Sequence, residues 1–267
     1  MPVTQNYEFI LVARDGPVTT ITLNRPQVHN ALNVKLSAEL NQAVRDVRDE
    51  RDCRIMILRG AGNTFCSGDD LKEFREWGPD DVYWQVRKYQ ETVQIIEDLT
   101  PITIAAVDGV ATGGGLELTL VCDFVIATDR SRWGMPEVDW NITPGWGGTS
   151  RLVRYVGRRK AKEMNLIGAL FSAQQAENYS LVNRVVAAKR LDEEVLVLCA
   201  VLLAKDPYTL RRTKFIITQG ADLHVSGALA FEVPVRPYGD WDGGLEMFAD
   251  REQRRERRAP SQGFWQD

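Results

Sequence analysis

The stretch PITIAAVDGVATGGGLELTLVCDFVIATDRSRWGMPEVDWNITPGWGG, Pro101 to Gly148, decides how the chain reads. An apolar run, Ile102–Val107, ends at Asp108-Gly109 and reads as a buried strand closed by a turn. Three consecutive glycines, Gly113, Gly114 and Gly115, precede Leu116, Glu117 and a helix-like apolar segment. A buried strand feeding a glycine-rich turn and a helix start leaves main-chain N–H groups free, which suits a negatively charged oxygen. Glycine also admits the close approach of a ligand or another backbone. Glu117 falls in the first turn of that helix, and a second carboxylate, Glu137, follows twenty residues later in Met135-Pro136-Glu137. A single Glu is ordinarily a solvated surface charge, but a surface helix has no need of three glycines ahead of it. Two carboxylates in different surroundings can divide acid and base work.

Working outward, the order and spacing of several segments resemble the crotonase (enoyl-CoA hydratase/isomerase) superfamily. They are Ile21–Pro26 with Asn30-Ala31-Leu32-Asn33, then Phe65–Lys72 (FCSGDDLK), Ala105–Asp123, Pro136-Glu137 and Pro144–Thr149. The likeness spans residue 7 to about 190 and continues more faintly to about 258. It implies an α/β fold, a crotonase-like spiral of β-β-α repeats, with the core and active site in residues 1–195. Residues 196–267 would form a C-terminal helical region that serves oligomerisation and covers the acyl pocket and coenzyme A.

The same resemblance implies chemistry. The thioester carbonyl of an acyl-CoA would accept N–H bonds from Asp69 and Gly114, the oxyanion hole. Glu117 would orient a water and share its proton, and Glu137 would deliver a proton to the α-carbon. Coenzyme A would meet Arg25, Gln27, Ser67 and Lys72, and the acyl group would lie near Leu71, Trp140 and Trp146. No metal and no separate cofactor is implied, coenzyme A being part of the substrate. The partners implied are the acyl-CoA and other copies of the chain, as a homotrimer or a dimer of trimers. Asp69 departs from the small apolar residue common at its position. A carboxylate beside a developing oxyanion is unfavourable unless it turns away or is paired.

Retention of both glutamates favours hydration of a 2,3-unsaturated acyl-CoA. Isomerase, hydrolase and C–C lyase chemistry, and a non-catalytic binding protein of the same fold, stay open. Glu137-Val138-Asp139-Trp140 is also similar to the hydroxycinnamoyl-CoA hydratase-lyase branch, so Trp133, Trp140 and Trp146 either pack the core or shape a pocket for a cyclic acyl group.

Composition agrees with a globular protein. The 267 residues are 44% hydrophobic and 26% charged, and the net charge of −4 offers no global field for nucleic acid or an anionic membrane. No apolar run approaches the length of a membrane span, and Met1–Phe9 shows no basic-then-apolar leader pattern, giving a cytoplasmic expectation. Cys53, Cys66, Cys122 and Cys199 lack CxxC spacing and read as reduced, packed thiols. With only two histidines, His29 and His224, a histidine-based triad or metal site is disfavoured.

Elsewhere the patterns predict a hairpin of strands 7–14 and 17–24 about Asp15-Gly16, and helices near 34–50 and 80–99. Val82, Val86, Tyr89, Val93 and Ile96 are expected on the buried face of the second helix, with Trp77 and Trp84 packed. A strand is expected at Ile55–Leu58. Helices follow at Arg151–Tyr155 and Arg158–Ile167, and a capping box at Ser172–Gln175 opens another. A strand resembling the family's GLVN segment covers 179–186, with Ser180 in the glycine position, and two helices fill 190–219. The Pro- and Gly-interrupted segment 231–244 reads as a lid or an oligomer contact, and the mixed-charge run 251–258 as a solvated helix end or a source of arginines for a coenzyme A phosphate.

Overall fold

A computed structural model describes residues 7–233. The expectations for 234–244 and 251–258 lie outside the described residues. Strands β1 (Ile10–Asp15) and β2 (Val18–Leu23) form the antiparallel hairpin, Asp15 pairing with Val18 across Gly16 at φ +53°. Helix α1 (Val34–Asp49) starts where Asn33 accepts a bond from the Leu36 N–H. It buries Leu36, Leu40, Ala43, Val44 and Val47, the 3.6-residue stripe seen in the sequence. Strand β3 (Ile55–Gly60), the short helix α2 (Leu71–Phe74), helix α3 (Pro79–Asp98) and strand β4 (Ile102–Val107) follow.

The chain then folds into β5 (Val110–Thr112), α4 (Gly114–Thr119), β6 (Phe124–Thr128), β7 (Arg132–Gly134) and a 3-10 turn at Pro136–Trp140. After it come α5 (Gly148–Ile167), β8 (Phe171–Ser172), α6 (Ala173–Asn178), β9 (Arg184–Val186), α7 (Leu191–Leu203), α8 (Pro207–Gly220) and α9 (Val225–Glu232).

Among the described residues the strands make two sheets. The larger runs β1-β2-β3-β4-β6-β9, parallel everywhere except the first hairpin, and the smaller runs β5-β7-β8. The parallel strands are covered on both faces, which is why β4 reads as an unbroken apolar run. Alternate residues serve two cores. Met56, Leu58, Ala105 and Val107 join the larger one with α1 and α3, whereas Ile55, Ile57, Ile102, Ile104 and Ala106 meet Leu191, Val195, Leu198 and Cys199 of α7. Residue 195 lies within α7, on the face that packs against this sheet. All four cysteines are buried free thiols.

Three readings shift. Helix α3 buries Gln85, Tyr89, Thr92, Val93 and Ile96, while Val82 and Val86 are half-buried. The stripe includes Thr92 because its hydroxyl donates to the Lys88 carbonyl and accepts from the Asn41 amide. Val86 instead borders the later loop at Gly145. Trp77 stacks near Phe74 and packs on the core, but Trp84 stands 63% exposed, so the packing expected of it fails. The strand expected over 179–186 shrinks to Arg184–Val186 because Tyr179 and Ser180 end α6. There the Ser180 N–H bonds the Glu177 carbonyl with φ at +62°. By contrast, the Ser172–Gln175 capping box forms as read, and α5 consists of the two helices foreseen on either side of Gly157, which breaks the helical backbone at φ +73°.

Ser180 occupies the left-handed position after a helix that glycine fills without strain. Ser180→Gly is expected to stabilise the fold by roughly 0.5–1 kcal/mol, net of glycine's greater unfolded entropy. Chemical denaturation of the two proteins checks this.

Candidate active site

The site is assembled by strand pairing. β5 and β7 are parallel neighbours, Val110 with Arg132 and Thr112 with Gly134, so both end at one edge. One runs through Gly113 into α4 and delivers Glu117; the other runs through Met135-Pro136 and delivers Glu137. The Gly113 N–H donates to the Gly134 carbonyl at 3.0 Å, tying the two exits together. A third segment, Phe65–Asp69, lies along β5: the Phe65 and Cys66 N–H groups bond the Val110 carbonyl, and the Thr112 N–H bonds the Cys66 carbonyl.

The glycines are packing requirements here. Gly113 holds φ +52°. A Cβ on Gly115 would stand 2.2 Å from the Cys66 carbonyl oxygen, so only glycine lets α4 approach the 65–69 segment.

Two main-chain donors are left over. The Leu32 N–H bonds the Gly68 carbonyl and the Asp70 N–H bonds the Leu32 carbonyl, which leaves the N–H of the intervening Asp69 unused. Gly114 begins α4, where first-turn amides have no intrahelical partner. Among the described residues neither the Asp69 nor the Gly114 N–H has a hydrogen-bond partner. The two segments touch, since a Cβ on Gly68 would lie 3.4 Å from the Gly114 nitrogen.

Both glutamates are inside the protein, Glu117 at 1% and Glu137 at 8% exposure. Glu117 Oε1 accepts the Gly148 N–H at 2.5 Å, a bond from the first residue of α5. Its Oε2, and Oε2 of Glu137, are buried without a partner. Glu137 Oε1 lies over Gly113, 3.1 Å from where a Cβ would be. Burial first, then the charge of Glu137, holds the Glu117 carboxyl well above the usual carboxylate range, against the opposing Gly148 bond. Burial pushes Glu137 up to about 6.

Asp69 is the third acid. The residue is partly exposed, but its carboxylate turns inward and Oδ1 accepts the Trp146 indole N–H at 2.9 Å. Pairing thus answers the unfavourable charge expected at this position. Burial, with the charge of Glu137, raises the Asp69 carboxyl to about 7 although the indole bond opposes this. The charge of Glu137 raises both of the other carboxyls, and that of Asp69 raises Glu117, so the three titrate as a coupled set rather than as independent charges.

The remaining expected contacts distribute unevenly. Trp146 is fully buried and stacked on Tyr89, ring centroids 4.2 Å apart, so it stands behind the loops rather than on an open pocket wall. Trp133 is core, its indole donating to Ser131. Trp140 is 58% exposed at the end of the 3-10 turn bearing Glu137, and Leu71 is half-buried. Gln27 and Lys72 are exposed, and Ser67 is partly buried with its carbonyl bonded by the Thr112 hydroxyl. The Arg25 guanidinium is engaged by Asp70 at 3.1 Å and by the Ala31 carbonyl at 2.7 Å, so it acts as a brace beneath the 65–72 segment.

Two residues with a part in this geometry were not singled out in the sequence as site residues. Gly148 orients Glu117 through its N–H, a contact between positions 31 residues apart that no local pattern records. Asn30, buried with φ +54°, donates to the carbonyls of Ala61, Thr64 and Phe65 and accepts the Arg25 N–H, clamping the loop before α1 to the approach of Phe65–Asp69. Its place in the Asn-Ala-Leu-Asn segment was the available signal. The described residues contain no group of His, Cys, Asp and Glu arranged to hold a metal ion, and no helix among them is long and apolar enough to cross a membrane.

A carboxyl whose pKa is raised on folding binds more protons folded than unfolded, so its ionisation weakens the fold as pH rises through the gap. For Glu137 that window runs from the ordinary value near 4.5 to about 6. Glu137→Gln is expected to stabilise the protein at pH 7.5 by on the order of 2 kcal/mol, at 1.36 kcal/mol per pKa unit, and to give little change at pH 4. Glu117→Gln, which keeps an acceptor for Gly148, is expected to shift stability in the same direction. Thermal melts at the two pH values check both.

Comparison with known proteins completes the picture. The family described as Enoyl-CoA hydratase/isomerase matches residues 13–253. The crotonyl-CoA hydratase of Syntrophomonas wolfei is 34% identical over 235 residues, covering 85% of this chain and 87% of that protein. The short-chain-enoyl-CoA hydratase of Clostridium acetobutylicum is 33% identical over 228 residues, covering 84% and 86%. The crystal structure of an enoyl-CoA hydratase from Bacillus anthracis superposes with a TM-score of 0.86 at 35% identity, covering 91% of this chain and 96% of that one. Extent, identity and fold agree, and the chain belongs to the enoyl-CoA hydratase/isomerase family, the crotonases.

Proposed function

We infer that this protein is an enoyl-CoA hydratase, adding water across the 2,3-double bond of an unsaturated acyl-CoA to give the 3-hydroxyacyl-CoA. The observation that carries the reading is the pair of buried glutamates, each with an unpartnered carboxylate oxygen, beside two unused main-chain N–H groups. The Asp69 and Gly114 N–H groups bind the thioester oxygen. Negative charge grows there as water attacks, so these donors favour the transition state over the ground state.

Glu117 and Glu137 hold the water and share one proton near neutral pH. Burial raises both carboxyls, and the proton belongs to the pair rather than to either residue. The water oxygen bonds the β-carbon as a hydroxyl, its proton passes to the ionised carboxylate, and the protonated carboxyl gives its proton to the α-carbon. The pair ends with one proton, as it began. Delivery by Glu137, the role implied by the family resemblance, requires the shared proton to be on Glu137 once substrate is bound.

Coenzyme A is part of the substrate, and the reaction calls on no other cofactor. Exposed Lys72 supplies charge for its phosphates, Gln27 and Ser67 supply polar contacts, and Arg25 shapes their seat through Asp70. Exposed apolar residues on α8 and α9, Ile217, Val225 and Leu229, support assembly into a trimer or a dimer of trimers, with residues 196–267 as the assembling region. A cytoplasmic location suits four unpaired thiols.

Exposed Trp140, on the same turn as Glu137, favours a second reading in which the acyl group is aromatic or alicyclic and hydration leads on to cleavage. Product masses separate these: hydration adds one water, and cleavage releases a smaller thioester.

Crotonyl-CoA and cinnamoyl-CoA are expected to lose their enoyl-thioester absorbance on addition of the protein. Glu117→Gln and Glu137→Gln each are expected to lower kcat by about 10²–10⁴-fold. Binding without turnover, unaffected by these changes, would instead identify a non-catalytic member of the family. The pH profile of kcat/KM is expected to fall on the acid side near pH 6, where the pair takes up a second proton, and on the alkaline side as the pair loses the shared one.

A further inference from the structure

The Trp146 indole touches the residues that carry both unused donors. Its N–H is bonded to the Asp69 carboxylate, and a Cβ on Gly114 would lie 3.1 Å from its Nε1. Its ring is stacked on Tyr89, the interplanar angle only 10°, with both side chains buried. Two residues further along the same loop, the Gly148 N–H orients Glu117. Behind it, Arg151 pairs with Glu97 of α3 and reaches the Trp146 carbonyl, anchoring the loop to the helix that carries Tyr89.

We propose that Trp146 is a positioning residue for hydration: its indole N–H holds the Asp69 carboxylate off the thioester oxygen while its ring fixes the Asp69 and Gly148 loops against each other. This rests on the hydratase reading above. Asp69 offers a donor through its backbone and, when its carboxyl is ionised, an opposing charge through its side chain. With the carboxylate on the indole, the donor faces the thioester oxygen without a mobile anion beside it. Released, the carboxylate would repel the charge that builds during water addition, and would do so more in the transition state than in the bound substrate. The loss therefore belongs in kcat rather than KM.

Trp146→Phe keeps a ring for Tyr89 and removes only the N–H. Its kcat for crotonyl-CoA or cinnamoyl-CoA is expected to fall about tenfold or more, in the range of a weakened oxyanion contact, with KM within about threefold. Adding Asp69→Ala or Asp69→Asn removes the released charge and is expected to recover most of that loss. Packing alone would not respond in this way. A Phe variant within about threefold of the wild type in kcat, or double variants no more active than the single, would overturn the proposal. So would failure of both the Phe variant and its Asp69→Ala double variant to fold, whereas a double variant that folds where the single does not supports it. Wild-type protein that hydrates neither thioester would remove the hydratase reading itself; wild-type turnover without the rescue removes this proposal alone.

Discussion

The site depends on keeping carboxyl groups inside a wall of main chain. Burying an ionisable group without full pairing is costly, and Glu117 and Glu137 are each left with an unpartnered oxygen. The protein offsets part of this with one well-placed donor, the Gly148 N–H on Glu117, and leaves the rest as raised proton affinity. In the hydration proposed above, that cost is what allows one proton to be shared between the two acids and moved on and off a water.

Much of the surrounding architecture follows from this arrangement. Parallel strands β5 and β7 bring both acids to one edge, the Gly113–Gly134 bond sets their spacing, and Gly115 lets the Phe65–Asp69 segment lie against α4. Asn30 and the Arg25–Asp70 pair secure that segment from the other side. These braces use backbone carbonyls and one ion pair, so the unused Asp69 N–H is fixed by its neighbours' bonds rather than by any bond of its own.

The sequence made the central elements legible where local pattern and structure coincide. The Ile102–Val107 run, the glycine triplet, the α1 stripe, the Ser172–Gln175 box and the hairpin each depend on residues close together in the chain. The family likeness rested on the spacing of such segments. What stayed hidden involves distant partners: Gly148 with Glu117, Trp146 with Asp69, and Asn30 with the 61–65 carbonyls. Side-chain burial was also misjudged at Trp84, expected to pack yet lying outside, whereas Trp146, left open between core and pocket, lies wholly inside; nothing in their immediate sequence separates them. The ion pair of Arg25, expected at coenzyme A, was hidden too because its partner, Asp70, is 45 residues away.

A crystal structure of the protein with acetoacetyl-CoA, an unreactive 3-oxoacyl thioester, tests the central claim most directly. The thioester oxygen should lie about 3 Å from both the Asp69 and Gly114 nitrogens, with the acyl group beside Glu117 and Glu137 and those two carboxyls within reach of a single shared water. A thioester oxygen bound elsewhere, or carboxyls too far apart to touch one water, would contradict the account.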